Sequence, residues 1–150
     1  MSEAEFWTLI SKIDVNALDM GDGNAAVRPV QMALCRLKNE SELASFEEML
    51  AQKLYALDGE IYAKIAGESG GSDDGFLYIR LYVVARGKNY YEAVLADPTK
   101  MPRSINQWCE PLLGPHKCAW ARLKGQDVSD WPFSPSVSYE SGSNGDLWPH

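Results

Sequence analysis

One hundred and fifty residues, 45% of them hydrophobic and 23% charged, have the size and composition of one ordinary globular domain, which excludes wholesale disorder and fibrous architecture. Fourteen Lys and Arg against twenty-one Asp and Glu leave a net charge of −7, a balance that repels phosphate backbones and weighs against nucleic-acid binding. No stretch approaches the roughly 18 uninterrupted apolar residues of a membrane helix. The opening Met1-Ser2-Glu3-Ala4-Glu5 puts acids where a secretory signal puts Lys or Arg, so the expected location is the cytoplasm, with no membrane association.

Ser2 to Asn16 reads as an amphipathic helix: Ser2 caps it, Glu5 completes a capping box, and Phe6, Leu9, Ile10 and Ile13 share a face. Asp19 to Asn24 carries the Gly and Asn of a loop. Helical spacing returns from Val27 to Leu37, where Pro29 is tolerable only in the first turn. Ser41 to Ile65 is the longest periodic run, with Leu43, Phe46, Leu50, Leu54, Leu57, Ile61 and Ile65 on one face, Ser41 or Ser45 as cap, and a break near Asp58-Gly59. Between Glu40 and Glu60, six acids face Lys53 alone, a local charge of −5. Glu47 and Glu48 lie at the centre of that acidic helix.

The run Phe76 to Ala85 has the β-branched and aromatic content of a buried strand. Its ends have helical signals instead: Ser72 as N-cap, Asp73 and Asp74 in the first turn, Gly87 as C-cap. The expectation is a central helix buried nearly all round, with a strand as the alternative. Lys88 to Ala96 forms a further helix stopped by Asp97-Pro98. Another is expected over Ser104 to Leu113, interrupted by Pro111, and a last turn or two over His116 to Leu123. Lys100 to Lys124 carries five basic residues against Glu110, a local +4 and the one stretch suited to an adaptor contacting nucleic acid. Beyond Gln126 the Ser, Pro and Gly content predicts an irregular tail pinned at Trp131, Phe133, Tyr139 and Trp148. The resulting expectation is a mainly α, single-domain irregular helical bundle over residues 1–125, with 126–150 packed or partly ordered on it.

Chemistry is sparse. Three scattered cysteines, Cys35, Cys109 and Cys118, read as small hydrophobic side chains. The zinc alternative, Cys109, His116 and Cys118 with Cys35, lacks the paired spacing such sites use, so neither metal nor cofactor is expected. Gly70-Gly71 before a helix start suggests a phosphate cradle, but Asp73 and Asp74 would repel the anion. Arg80, alone in an apolar run, must find a carboxylate or carbonyl oxygens, and a buried ion pair is the simplest form. Arg86 suits a helix C-terminus. The histidines His116 and His150 lie in no nucleophile or metal motif, and no G-x-S-x-G elbow is present, so no catalytic residue is named and the balance leans away from an enzyme.

Phe6-Trp7-Thr8-Leu9-Ile10, Gly71-Ser72-Asp73-Asp74-Gly75-Phe76, Arg80, Arg86-Gly87, Tyr91-Glu92-Ala93 and Leu95-Ala96-Asp97-Pro98 occur in an order and spacing that resemble the bacterial domain-of-unknown-function family 4240. The resemblance implies a mainly helical fold, helix rather than strand over Phe76 to Ala85, and no established activity.

Three functions remain. The first is a non-catalytic protein-binding domain, an immunity-type protein masking a basic toxin or enzyme through the acidic face that carries Glu47 and Glu48. The second is a small-molecule-binding or hydrolytic domain with a pocket at Ser72, Asp73, Asp74 and Arg80, with a hydroxyl from Tyr78 or Tyr82. The third, a nucleic-acid adaptor through Lys100 to Lys124, is the weakest.

Overall fold

The fold is that of a computed structural model, which describes residues 1–149. His150 lies outside the described residues. Eight α-helices and four short 3-10 turns account for the regular structure among the described residues, and none of it is strand.

The expected first helix is two. Helix α1 spans Glu3–Ile10, with Ser2 Oγ accepting from the Glu5 N–H as the capping box requires. The chain then turns, because Asp14 caps a new helix: its side chain accepts from the Ala17 N–H and starts α2, Val15–Asp19. The Asp14 N–H itself donates to the Ala26 carbonyl. The loop expected from Asp19 to Asn24 shrinks to a three-residue turn, since Asp22 caps α3, Gly23–Leu37. Pro29 therefore sits inside that helix rather than in its first turn, and its missing N–H leaves the Ala25 carbonyl without an in-helix donor. Lys38, at φ 48°, ends α3 in the left-handed region.

Helix α4, Glu40–Ala56, is capped by the Asn39 side chain, not by Ser41 or Ser45. The break at Leu57-Asp58-Gly59 falls where glycine predicts it, and α5, Glu60–Ile65, follows. A tight 3-10 turn, Gly67–Gly71, lies against α5 so closely that a Cβ on Gly70 would overlap the Ala63 carbonyl. Ser72 then accepts from the Gly75 N–H, and α6, Asp73–Ala85, begins.

Helix α6 is the axis of the molecule. Every residue from Gly75 to Ala85 is buried apart from Tyr78, which is half-buried. Helices α4 and α7 (Lys88–Ala96) pack against it, with the Gly67–Gly71 and Glu110–Leu113 turns. The sheet propensity of its residues is overridden because the caps fix its start and neighbouring helices supply apolar contact on all sides. Gly87 follows at φ 101°, a conformation that favours glycine.

The helix expected over Ser104 to Leu113 does not form. Side chains capture its backbone instead: the Ser104 N–H donates to Gln107 Oε1 and the Asn106 N–H to Ser104 Oγ. Pro111 confines what remains to the Glu110–Leu113 turn. Helix α8, Pro115–Lys124, packs along α3 and ends at Gly125, φ 63°. From Trp131 to Ser141 the chain is an extended strap in which half-buried residues (Trp131, Phe133, Pro135, Val137, Tyr139, Ser141) alternate with exposed ones. Trp131, Phe133, Tyr139 and Trp148 pack on the core, as the sequence predicts. No helix among the described residues is long and apolar enough to cross a membrane.

Candidate functional site

The strap decides where the expected site residues stand. Arg80 is 0% exposed. Its Nε donates to the Phe76 carbonyl (3.3 Å), Nη1 to the Leu54 carbonyl (3.0 Å), and Nη2 to the Tyr139 carbonyl and Ser141 Oγ (3.0 Å each). The expected ion pair is thus corrected: neutral oxygens hold the cation, and Asp58 and Glu140 support it only at longer range. Burial pushes its pKa down to about 10, which leaves it charged at neutral pH. Ser141 Oγ also donates to the Asp73 carbonyl at 2.7 Å, tying the strap to the first turn of α6.

Asp58 repeats the pattern with opposite sign. It is 0% exposed and accepts from the Gly142 and Asn144 N–H groups and from Trp148 Nε1 at 2.9–3.0 Å. Sequence reasoning missed this residue, although an acid at a helix break facing an aromatic tail is a usable signal. The alternating pattern of the strap was visible too.

Glu47 faces inward at 4% exposure, so it does not belong to an acidic solvent face. Its Oε2 accepts from Trp131 Nε1 (2.8 Å), and its Oε1 lies 3.2 Å from His116 Nε2. Burial works to raise the Glu47 pKa, but the hydrogen bonds from His116 and Trp131 outweigh it and hold the carboxyl low. Burial lowers the His116 pKa against the pull of Glu47, favouring a neutral imidazole with Nε2–H toward the carboxylate. Glu48 accepts from the Ser136 N–H and hydroxyl (2.7 Å each) and from Gln52, contacts that hold its pKa low. Both glutamates anchor the chain's own strap.

Ser72, Asp73 and Asp74 are exposed at the start of α6, while Arg80 is fully buried, reaching them only through Ser141 Oγ and the Asp73 carbonyl. Arg86 lies at the far end of the helix, paired with Asp19 at 2.9 Å and beside Tyr82 and Tyr90. The zinc set is dispersed: Cys109 is buried, its N–H donating to the Tyr78 carbonyl, its thiol pushed up to about 12 by burial. His116 is engaged by Glu47, and no group of three or more metal-type ligands occurs among the described residues.

The arrangement with recognition chemistry lies one turn along α6 from the aspartates. Trp108, 38% exposed, meets the Tyr78 ring edge-on at 5.4 Å and is oriented by Nε1 donating to Ser69 Oγ at 2.9 Å. Burial first, then the charges of Glu110, Asp74 and Glu140, raises the Tyr78 pKa. All three are exposed, as is Asp73. An oriented aromatic pair in the field of exposed carboxylates suits a cationic side chain, which gains from the rings and the negative field together. Trp108 was not singled out in the sequence, because the expected helix around it hid its place in a fixed loop.

A family model, DUF4240, described as a protein of unknown function, matches residues 1–133, running well past the Asp97-Pro98 segment. No curated protein and no solved structure matches the chain.

Proposed function

The chain belongs to the DUF4240 family, whose description assigns no activity, and on that footing we propose that it is a protein-binding domain that docks a basic partner on the Tyr78–Trp108 patch. The observation that carries this reading is the exposed, hydrogen-bond-oriented Trp108 stacked edge-on with Tyr78, a phenol on which the charges of Asp74, Glu110 and Glu140 act. Trp and Tyr are the anchors that dominate binding energy at protein interfaces, and surrounding charge selects the sign of the partner. A net charge of −7 extends the attraction beyond contact distance and speeds encounter with a basic surface. Masking of a basic toxin or enzyme, in the manner of an immunity protein, is the form of this reading that the charge favours. The cytoplasm is its proposed setting, in keeping with three free thiols.

The test is quantitative capture from a lysate of the native host, with wild type, Trp108→Ala and the double variant Asp74→Lys/Glu110→Lys as baits. All three residues are exposed, so the variants should stay folded, with a modest fall in melting temperature where Lys opposes the α6 dipole and where Trp108 loses its bond to Ser69. The expected result is a basic protein retained by wild type, released by raised salt, and lost from both variants. Equal retention by all three baits would refute the proposed surface.

A further inference from the structure

We propose that a second site, the cleft between the end of α2, the end of α6, the start of α7 and the 104–107 turn, binds a planar heterocycle with an amide or amidine edge, the class of the purine and pyrimidine bases. The site adjoins the Tyr78–Trp108 patch, since Gln107 precedes Trp108 and Tyr82 lies one turn beyond Tyr78 on α6, but it is lined by other side chains and its reading does not depend on that patch. Its volume is about 400 Å³, and its lining is Asp19, Tyr82, Arg86, Tyr90, Asn106 and Gln107.

Asp19 organises the cleft. Arg86 Nη1 donates to both its oxygens (3.0 and 2.9 Å), and the Tyr82 hydroxyl donates to Oδ1 (3.0 Å). The guanidinium is held 5.2 Å from the centre of the Tyr90 ring and 6.0 Å from that of Tyr82, whose planes stand at 84° to each other. Tyr82 is only 4% exposed, so the half-buried Tyr90 ring and the Arg86 guanidinium are the flat surfaces left to a ligand. Held in place before it arrives, they provide a stacking platform that any base satisfies. Edge recognition falls to Asn106. Its backbone N–H is tied to Ser104, while its exposed side-chain amide makes no hydrogen bond to the described residues. That amide offers a donor and an acceptor at the spacing of a heterocycle's hydrogen-bonding edge. Arg86 is already neutralised by Asp19, so the cleft has no spare cation for a phosphate. The base, not its phosphate, is what it would read.

Guanosine, adenosine, cytidine and uridine, titrated separately into the full chain and followed by saturation-transfer NMR, test the assignment. At least one nucleoside should saturate. Asn106→Ala, on an exposed turn, and Tyr90→Ala should each weaken binding about tenfold, while Tyr90→Phe retains it. A mixed-sequence single-stranded oligonucleotide should bind more weakly than the free nucleoside, because its backbone meets a chain of charge −7. The proposal is overturned if no nucleoside binds up to about 5 mM, if Asn106→Ala and Tyr90→Ala leave the affinity unmoved, or if the oligonucleotide binds more tightly.

Discussion

Arg80 and Asp58 are opposite charges, each fully buried, and each is satisfied mainly by uncharged partners rather than by the other. Taking a guanidinium out of water is costly, and only a full set of acceptors offsets the cost. Arg80→Leu takes the donor from the Tyr139 carbonyl and from Ser141 Oγ, while the Leu54 carbonyl keeps the Leu57 N–H. A loss of about 2 kcal/mol in urea unfolding is expected, at roughly 1–3 kcal/mol per stranded acceptor. Arg80→Lys should recover only part of it, since one ammonium does not span the forked acceptor set. His116 gives a second residue-scale expectation. Its pKa is lowered in the fold, by burial first, against Glu47 and with Lys117 contributing. The unfolded chain therefore takes up a proton near pH 6.5 that the folded chain still refuses. Stability should be fully present above about pH 6.5 and decline below it, and urea midpoints at pH 7.5 and 5.5 would measure the drop. His116→Gln should remove most of the difference between those two midpoints.

At the scale of the element, caps and punctuation carried most of the information. The Ser72 cap and the Asp73-Asp74 first turn placed the start of α6 against a strand-like composition, and the structure agrees. Ser72→Ala should cost about 1 kcal/mol and Ser72→Gly only a few tenths, measured by chemical denaturation. The same logic failed where a competing local bond was overlooked. Asp14 and Asp22 each accept from a backbone N–H three residues on, splitting one expected helix and closing one expected loop. Ser104 and Gln107 hold their segment out of a helix in the same way. Gly70 shows a constraint that spacing does not convey, because only the fold brings it against the Ala63 carbonyl. Gly70→Ala must displace the turn from α5, and a loss of several kcal/mol is expected, beyond the roughly 1–3 kcal/mol of ordinary overpacking. Thermal melts of the variant beside Gly71→Ala, where a Cβ meets nothing within 4 Å, give the contrast.

For the whole molecule, the strap is the closing element. It supplies partners to Glu47, Glu48 and Arg80, and the residues just after it (Gly142, Asn144 and Trp148) supply those of Asp58, acceptors and donors whose own segments are spread along α4, the break after it and α6. A chain ending at Asp130 should lose cooperative unfolding, read as a collapse of near-ultraviolet circular dichroism and of amide protection in α4 and α6. If that shorter chain keeps its protection, the buried charges have found other partners and the strap is not needed for closure. The same element explains why an acidic helix in the sequence is not an acidic face in the fold. Two of its central carboxylates are spent on the strap, and the acids whose charges act on Tyr78 come from three separate segments: Asp74 on α6, Glu110 in its turn and Glu140 on the strap.

What the sequence determined by itself was local: the helical class, the burial of α6, the break at Asp58-Gly59, the aromatic anchors of the tail and the family. These follow from periodicity, capping and motif order, which act over a few residues and leave a direct imprint on the order of amino acids. The partners of Arg80, the inward turn of Glu47, the acidic field at Tyr78 and the Asp19–Arg86 cleft were decided by tertiary structure alone. Each joins groups dozens of residues apart, and a charge reads the same in a sequence whether its partner is water or a carbonyl from the far end of the chain.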